Sequence, residues 1–279
     1  MVDTTTVRTL WRRLEPCHAF IYFAPEASRN YADLGLNGQD GYFASRSAAM
    51  GAVGAEVVIA TFFNFKPELV HEALPKAWGI TSPAAMLDAR RDGADQALRR
   101  MLGDDISHPD LAEAASLARK AAETGDPSGR PIFAAHAALP WPEEPHLQLF
   151  HAITLLREHR GDAHVAALTL EGYDAVEALV THLASGEIAL PASLLQATRG
   201  WTDDEWEAGH ERLRQRGHLD EAGGLTLTEA GLESRNRVEA LTDAASLPPW
   251  ATLTDAEADR LREISAPFSK TIAKAMFAR

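Results

Sequence analysis

The chain has 279 residues, 46% hydrophobic and 24% charged, with 27 Lys and Arg against 40 Asp and Glu for a net charge of -13. This composition excludes collagen-like and disordered chains, and the negative charge opposes a non-specific hold on nucleic acid or on an anionic membrane surface. No apolar run approaches the roughly 20 residues of a spanning helix, and the start carries no secretory leader, so a cytoplasmic protein without a membrane partner is expected.

Cys17 is the single cysteine. It excludes an internal disulfide and leaves histidines and carboxylates as the available metal ligands.

Helical periodicity dominates. Val7, Leu10, Trp11, Leu14, Cys17, His18 and Ile21 recur at the spacing of one buried helix face, with Pro16 expected to kink or split the helix. If the helix continues from 17 to 30, His18, Tyr22 and Glu26 fall on one face. A histidine held by a phenol and a carboxylate is a sensible proton-transfer or ligand-orienting group, and equally a core histidine with both ring nitrogens satisfied. Arg46, beside Tyr42 among small residues, can clamp a carboxylate or phosphate, or pair with Glu56 or Glu26.

A helix is expected from about 51 to 64, ending at Asn64 and Phe65, and another from Pro67, a residue suited to a first turn. Eleven of the twenty aromatic residues lie in the first 80, either as the wall of a pocket for a flat ligand or as ordinary core. Further helices fit 84–101, 110–123, 147–158 and 163–184. Between 103 and 145 the prolines, among them Pro109, Pro131 and Pro145, mark short helices and loops.

The densest polar patch is His159-Arg160-Gly161-Asp162-Ala163-His164. Gly161 is expected to break the helix and Asp162 to cap the next one, with Arg160 and His164 beside an anion site. A metal is the weaker reading, because His159 and His164 lie about 140° apart on an unbroken helix. No phosphate-binding loop, nucleophile elbow or dinucleotide fingerprint is present, and no cofactor can be named.

In the last third, a short helix from Leu190 closes at Gly200, and Thr202 to Glu205 form a capping box for a helix ending at Gly217. Leu219 to Leu227 alternate around a glycine turn and predict a small hairpin; Thr228 caps the following helix, and Thr254 to Glu257 form a second capping box. Helix, helix, two-stranded wing, helix is a winged-helix order. The string Leu225-Thr226-Leu227-Thr228-Glu229-Ala230-Gly231 resembles the wing exit of MarR-type regulators. DNA is a possible partner, disfavoured by the acidic first turn Asp203-Asp204-Glu205 of the recognition helix.

Taken together, His18 to Glu26, Tyr42 to Arg46, Ala60 to Phe65, His159 to His164 and this tail resemble the SalK-like helix-turn-helix family of actinobacterial proteins. The resemblance implies a helical domain fused to a winged helix and brings no stated activity.

The sequence therefore predicts a mainly α fold, with a helical ligand-binding domain over 1–186 and a winged helix with a terminal helix over 187–279. The expected function is small-molecule binding, with enzymatic chemistry on the bound molecule left open. His18 and His164 are the candidate proton-transfer groups. Tyr22, Glu26, Tyr42, Arg46, Asn64, Phe65, His159, Arg160 and Asp162 are the candidate ligand contacts. The winged helix would serve packing or a homodimer. The alternatives are a ligand-responsive regulator and a haem or metal protein using His18, His159 or His164.

Overall fold

The computed structural model describes residues 2–187, 191–220 and 224–276. Fifteen α-helices are described: α1 Thr4–Leu14, α2 Pro16–Ala19, α3 Pro25–Asp33, α4 Gly38–Ser47, α5 Ala55–Phe62, α6 Pro67–Ile80, α7 Pro83–Leu102 and α8 Pro109–Ala122, followed by α9 Pro131–Ala137, α10 Pro145–Leu170, α11 Ala175–Ala184, α12 Ala192–Arg199, α13 Asp203–Gln215, α14 Glu229–Trp250 and α15 Asp255–Met276. Short 3-10 turns connect some of them. Seven of these helices begin on proline, where the missing N–H has no intrahelical partner to lose and the fixed φ already suits a first turn. Pro109, Pro131 and Pro145, which the sequence reading places among short helices and loops, are such starts.

The chain forms two compact units. The first comprises Met1–Val53, Ala73–Asp162 and Asp243–Arg279. Its core combines the α1 stripe of Val7, Leu10 and Leu14 with Phe20, Met86, Leu111, Leu155, Leu261 and Phe268, all essentially buried. The expected helix at 7–21 is split into α1, α2 and a turn at Phe20–Tyr22. Pro16 thus sits at a first turn and not inside a helix. Helices α3 and α7 pack closely at Gly93, where a Cβ would lie 2.7 Å from the Ala27 Cα.

The second unit comprises Gly54–Glu72 and Ala163–Thr242. Its core is Tyr173, Val176, Leu179, Leu195, Trp206, Leu213, Leu219 and Val238. This partition differs from the linear one at 186/187, because α5 and the start of α6 join the segment 163–242.

The mainly α reading agrees with the structure, but the two-stranded wing does not. Among the described residues there is no strand; Leu219 and Leu227 form a single antiparallel bridge. The physical reason is the shortness of the connection. Gly217 ends α13 in a left-handed conformation, and Thr228 already caps α14 through Gly231 N–H at 3.1 Å and donates its hydroxyl to the Gly217 carbonyl. Among the described residues, Asp220 N–H to Thr226 O and Thr228 N–H to His218 O are the backbone bonds that fit between. The wing turn expected at 222–224 lies mostly outside the described residues, as does Leu190. No single described helix is long and apolar enough to cross a membrane.

Candidate functional site

The first unit contains a cavity of about 340 Å³ walled by α7, α9, the segment 139–142 and α10. Leu87, Leu139, Pro140, Trp141, Leu147 and Phe150 make it mainly apolar, and Arg90, His136, His151 and Thr154 supply its polar groups. This volume lies at the lower end of the range of small-molecule sites.

Arg90 is the unusual member. It is only 5% exposed, its Nη1 is buried without a hydrogen-bond acceptor, and its guanidinium lies 5.7 Å from the ring centres of both Tyr22 and Phe150. A buried cation without an anion is costly. Its place was visible in the sequence: Met86, Arg90, Ala94 and Ala97 share one helical face, which sets a charge within an apolar stripe.

His136 lies on the opposing α9. Its Nδ1 contacts the Ile132 carbonyl at 3.0 Å; a carbonyl only accepts, so Nδ1 carries the proton and Nε2 is left as an acceptor. No described residue donates to that Nε2. Burial, opposed in part by Glu158, lowers the His136 pKa and keeps the ring neutral. His151 stands edge-on to Trp141, with ring centres 4.6 Å apart. Its Nε2 is buried without a partner, and burial brings its pKa down to about 4.

Behind the wall lies the cluster anticipated around His18. His18 is fully buried, with Nδ1 2.9 Å from Thr154 Oγ1 and Nε2 2.9 Å from the Tyr22 hydroxyl. Because the Thr154 hydroxyl donates to the Phe150 carbonyl, it accepts from His18 Nδ1–H, and Tyr22 donates to Nε2. The imidazole is therefore neutral with both nitrogens engaged. Burial, reinforced by Arg157, Arg90 and Arg46, holds its pKa well below the ordinary value.

Arg46 donates to the Tyr42 hydroxyl at 2.9 Å and lies 3.9 Å from Glu158, not against Glu56 or Glu26. Arg157 bonds Glu158 at 3.0 Å and Glu15 at 3.1 Å. Burial pushes the Glu158 carboxyl up, but Arg157 and Arg46 outweigh it and keep it ionised. Arg46, Arg90 and Arg157 all approach the Tyr22 ring within 6 Å; Arg46 and Arg157 lie against carboxylates, and Arg90 makes no such pair among the described residues.

The remaining candidates are dispersed. Helix 17–30 is interrupted at 23–24, and Glu26 turns to Arg100, with one bond at 3.1 Å. Gly161 does not break α10. Asp162 consequently caps another helix, accepting the Ile132 and Phe133 amides at the start of α9 at 3.1 and 2.9 Å. Arg160 pairs with Asp243 at 2.6 Å and stacks 4.6 Å over Trp11. His159 is buried edge-on to Phe133.

Asn64, Phe65 and His164 belong to the second unit. Phe63, at φ 61 and ψ -53, forms a strained three-residue turn closed by Asn64 N–H to Phe62 O at 2.7 Å. The Asn64 carbonyl accepts from Trp201 Nε1 at 3.1 Å, and Arg199 lies 4.7 Å over the Phe65 ring. His164 Nδ1 is 3.0 Å from Thr242 Oγ1. Among the described residues, no group of three or more His, Cys, Asp or Glu is placed to hold a metal ion.

The sequence reading missed Arg90, His136, His151, Thr154 and Glu158. Their importance arises from the meeting of α7, α9 and α10, and for Arg90 and Glu158 the available signal was a charge on a buried helix face.

In the second unit α12 ends at Gly200 in a left-handed turn. Helix α13 then starts with the expected capping box, Glu205 N–H donating to Thr202 Oγ1 at 3.3 Å and Thr202 N–H to Glu205 at 2.9 Å. Lys66 pairs with Glu205 at 2.7 Å. Further along α13, Arg212 meets Asp174 at 2.6 Å and Arg214 meets Glu207 at 2.8 Å.

Among the described residues the fold is helical, and α12 and α13 are successive helices joined by a tight turn, the arrangement of the helix-turn-helix class. The model of a helix-turn-helix family matches residues 7–279, and the chain belongs to that family. No curated protein and no solved structure matches it.

Proposed function

We propose that this helix-turn-helix protein binds a small apolar anion in the cavity of its first unit. The observation that carries the reading is Arg90: a buried guanidinium at the wall of an apolar cavity, with no ion pair or hydrogen bond from any described residue. A carboxylate there supplies the missing acceptor, and the apolar wall takes the body of the ligand. Arg46 and Arg157 add positive potential from behind, while His18 fixes Thr154 and Tyr22 and exchanges no proton with the ligand. Arg160, by contrast, is committed to Asp243.

The test uses 1-naphthylacetate as an apolar anion and calorimetric titration as readout. Wild type should bind it, and Arg90→Met should weaken it on the order of tenfold or more, about 1.4 kcal/mol, while neutral 1-methylnaphthalene is affected much less. Equal affinity of the two proteins for the anion would sink the proposal.

A second reading is favoured by the family itself: the same ligand governs contact of α13 with DNA. The acidic first turn of α13, and the pairing of Arg212 and Arg214 with carboxylates, support the alternative use of this unit for packing or dimer formation. Retention on heparin at low salt, lost with added salt, would favour the DNA reading.

A further inference from the structure

The hydrogen-bonding inventory of the cavity restricts its ligand beyond charge. Arg90 Nη1 and His151 Nε2 are buried without protein partners, and His136, whose Nδ1 is engaged with the Ile132 carbonyl, offers its other nitrogen as an acceptor; the three ask for different things. Arg90 Nη1 is a donor and requires an acceptor. His136 Nε2 is an acceptor, because its other nitrogen is committed as donor to the Ile132 carbonyl, and it requires a donor. His151 Nε2 is buried beside it without a partner of either kind. An apolar anion satisfies Arg90 and leaves the His136 acceptor unpaired against a mainly apolar wall, an arrangement that native proteins avoid.

We infer that the cavity is built for an aromatic acid that also carries an N–H or O–H donor, the acid group meeting Arg90 and the donor meeting His136 Nε2, with the ring system against Trp141 and Phe150. The inference rests on the reading of this cavity as the ligand site and adds the polarity of the ligand's second end. Sites that hydrogen-bond a ligand group discriminate sharply against an analogue lacking it, because the site's own polar atom is then stranded. The tautomer matters here: with Nδ1 protonated, His136 rejects a second acceptor and welcomes a donor.

Two acids of similar size separate the possibilities: indole-3-acetate has a ring N–H, and 1-naphthylacetate has none. Wild type should bind indole-3-acetate at least tenfold more tightly, and His136→Leu should abolish the preference by weakening the indole acid alone. A measurement independent of that variant's folding is the ¹⁵N spectrum of the wild-type histidines. The unprotonated Nε2 of His136 should shift on adding indole-3-acetate and stay unmoved with 1-naphthylacetate.

Equal affinity for the two acids, with no such shift, overturns the donor requirement and leaves the anion reading standing. Binding of neither acid overturns both.

Discussion

Asp162 shows how a side chain's role depends on what it meets across the fold. Burial raises its carboxyl to about 6, although the amides of Phe133 and Ile132 pull the other way. Between the ordinary carboxylate value and about 6 the folded state therefore binds more proton than the unfolded chain, so stability from this group falls as pH rises through that window. Asp162→Asn removes the ionisation. Relative to wild type, the variant should gain about 1 to 2 kcal/mol from pH 4 to pH 7 in urea denaturation at stepped pH; a constant difference across the range would refute the assignment. Cys17 is at the other extreme: burial pushes its thiol up to about 12, so it serves as core and not as a nucleophile.

Legibility at this scale follows distance along the chain. The contact of His18 with Tyr22 is a four-residue spacing on one helical turn and could be read from the sequence. Thr154, which fixes the His18 tautomer, is 136 residues away in sequence and could not. The capping role of Asp162 was chemically right, but its target is the start of α9, which precedes it by thirty residues.

Among the elements, α7 and α8 lie within a residue of where periodicity sets them, and both later capping boxes are present. Glu257 N–H donates to Thr254 Oγ1 at 3.2 Å, and Thr254 N–H to Glu257 at 2.8 Å. Gly161 was misread because a lone glycine costs a helix only about 1 kcal/mol. Leu155 and Leu156 on one side and Ala163 and Ala167 on the other are buried, and tertiary packing of that kind outweighs the local preference. The hairpin was misread because alternation over nine residues carries no information on how much backbone the flanking helices consume.

The junction that replaces the wing is tight. A Cβ at Gly231 would lie 2.1 Å from the His218 carbonyl oxygen, a backbone atom that cannot rotate away. Gly231→Ala should therefore cost about 3 kcal/mol of stability by thermal or urea unfolding, whereas Gly224→Ala, where the nearest atom is the Thr226 hydroxyl at 3.6 Å, should cost little. Similar losses for the two would contradict the close approach of α14 to His218. Gly200, at φ 81 and with Leu69 Cδ1 2.5 Å from where a Cβ would sit, identifies a second place where only glycine fits.

Across the whole molecule, the acid response is governed by histidines. Burial is the leading cause of a lowered pKa at His18, His136, His151, His159 and His182, the last three reaching about 4. Each stays neutral in the folded state while its unfolded counterpart takes up a proton near 6.5. Their contribution to stability is full above that pH and is lost as pH falls, by up to about 1.4 kcal/mol per pH unit for each. This trend opposes that of Asp162 and outnumbers it. The melting temperature should drop steeply from pH 6.5 to 4.5, with net proton uptake on unfolding; a flat profile over that range would show that the histidines are accessible to protons in the folded chain.

The segmental make-up of the first unit has a consequence for biosynthesis. Helix α15 supplies Leu261, Ile264, Phe268 and Ile272 to the same core as Val7, Leu10 and Leu14. The two sets are far apart in sequence, so a ribosome delivers them at widely separated times. The α1 stripe therefore keeps an incomplete apolar face until α15 has been synthesised, and exposed apolar surface of that kind favours aggregation during the interval.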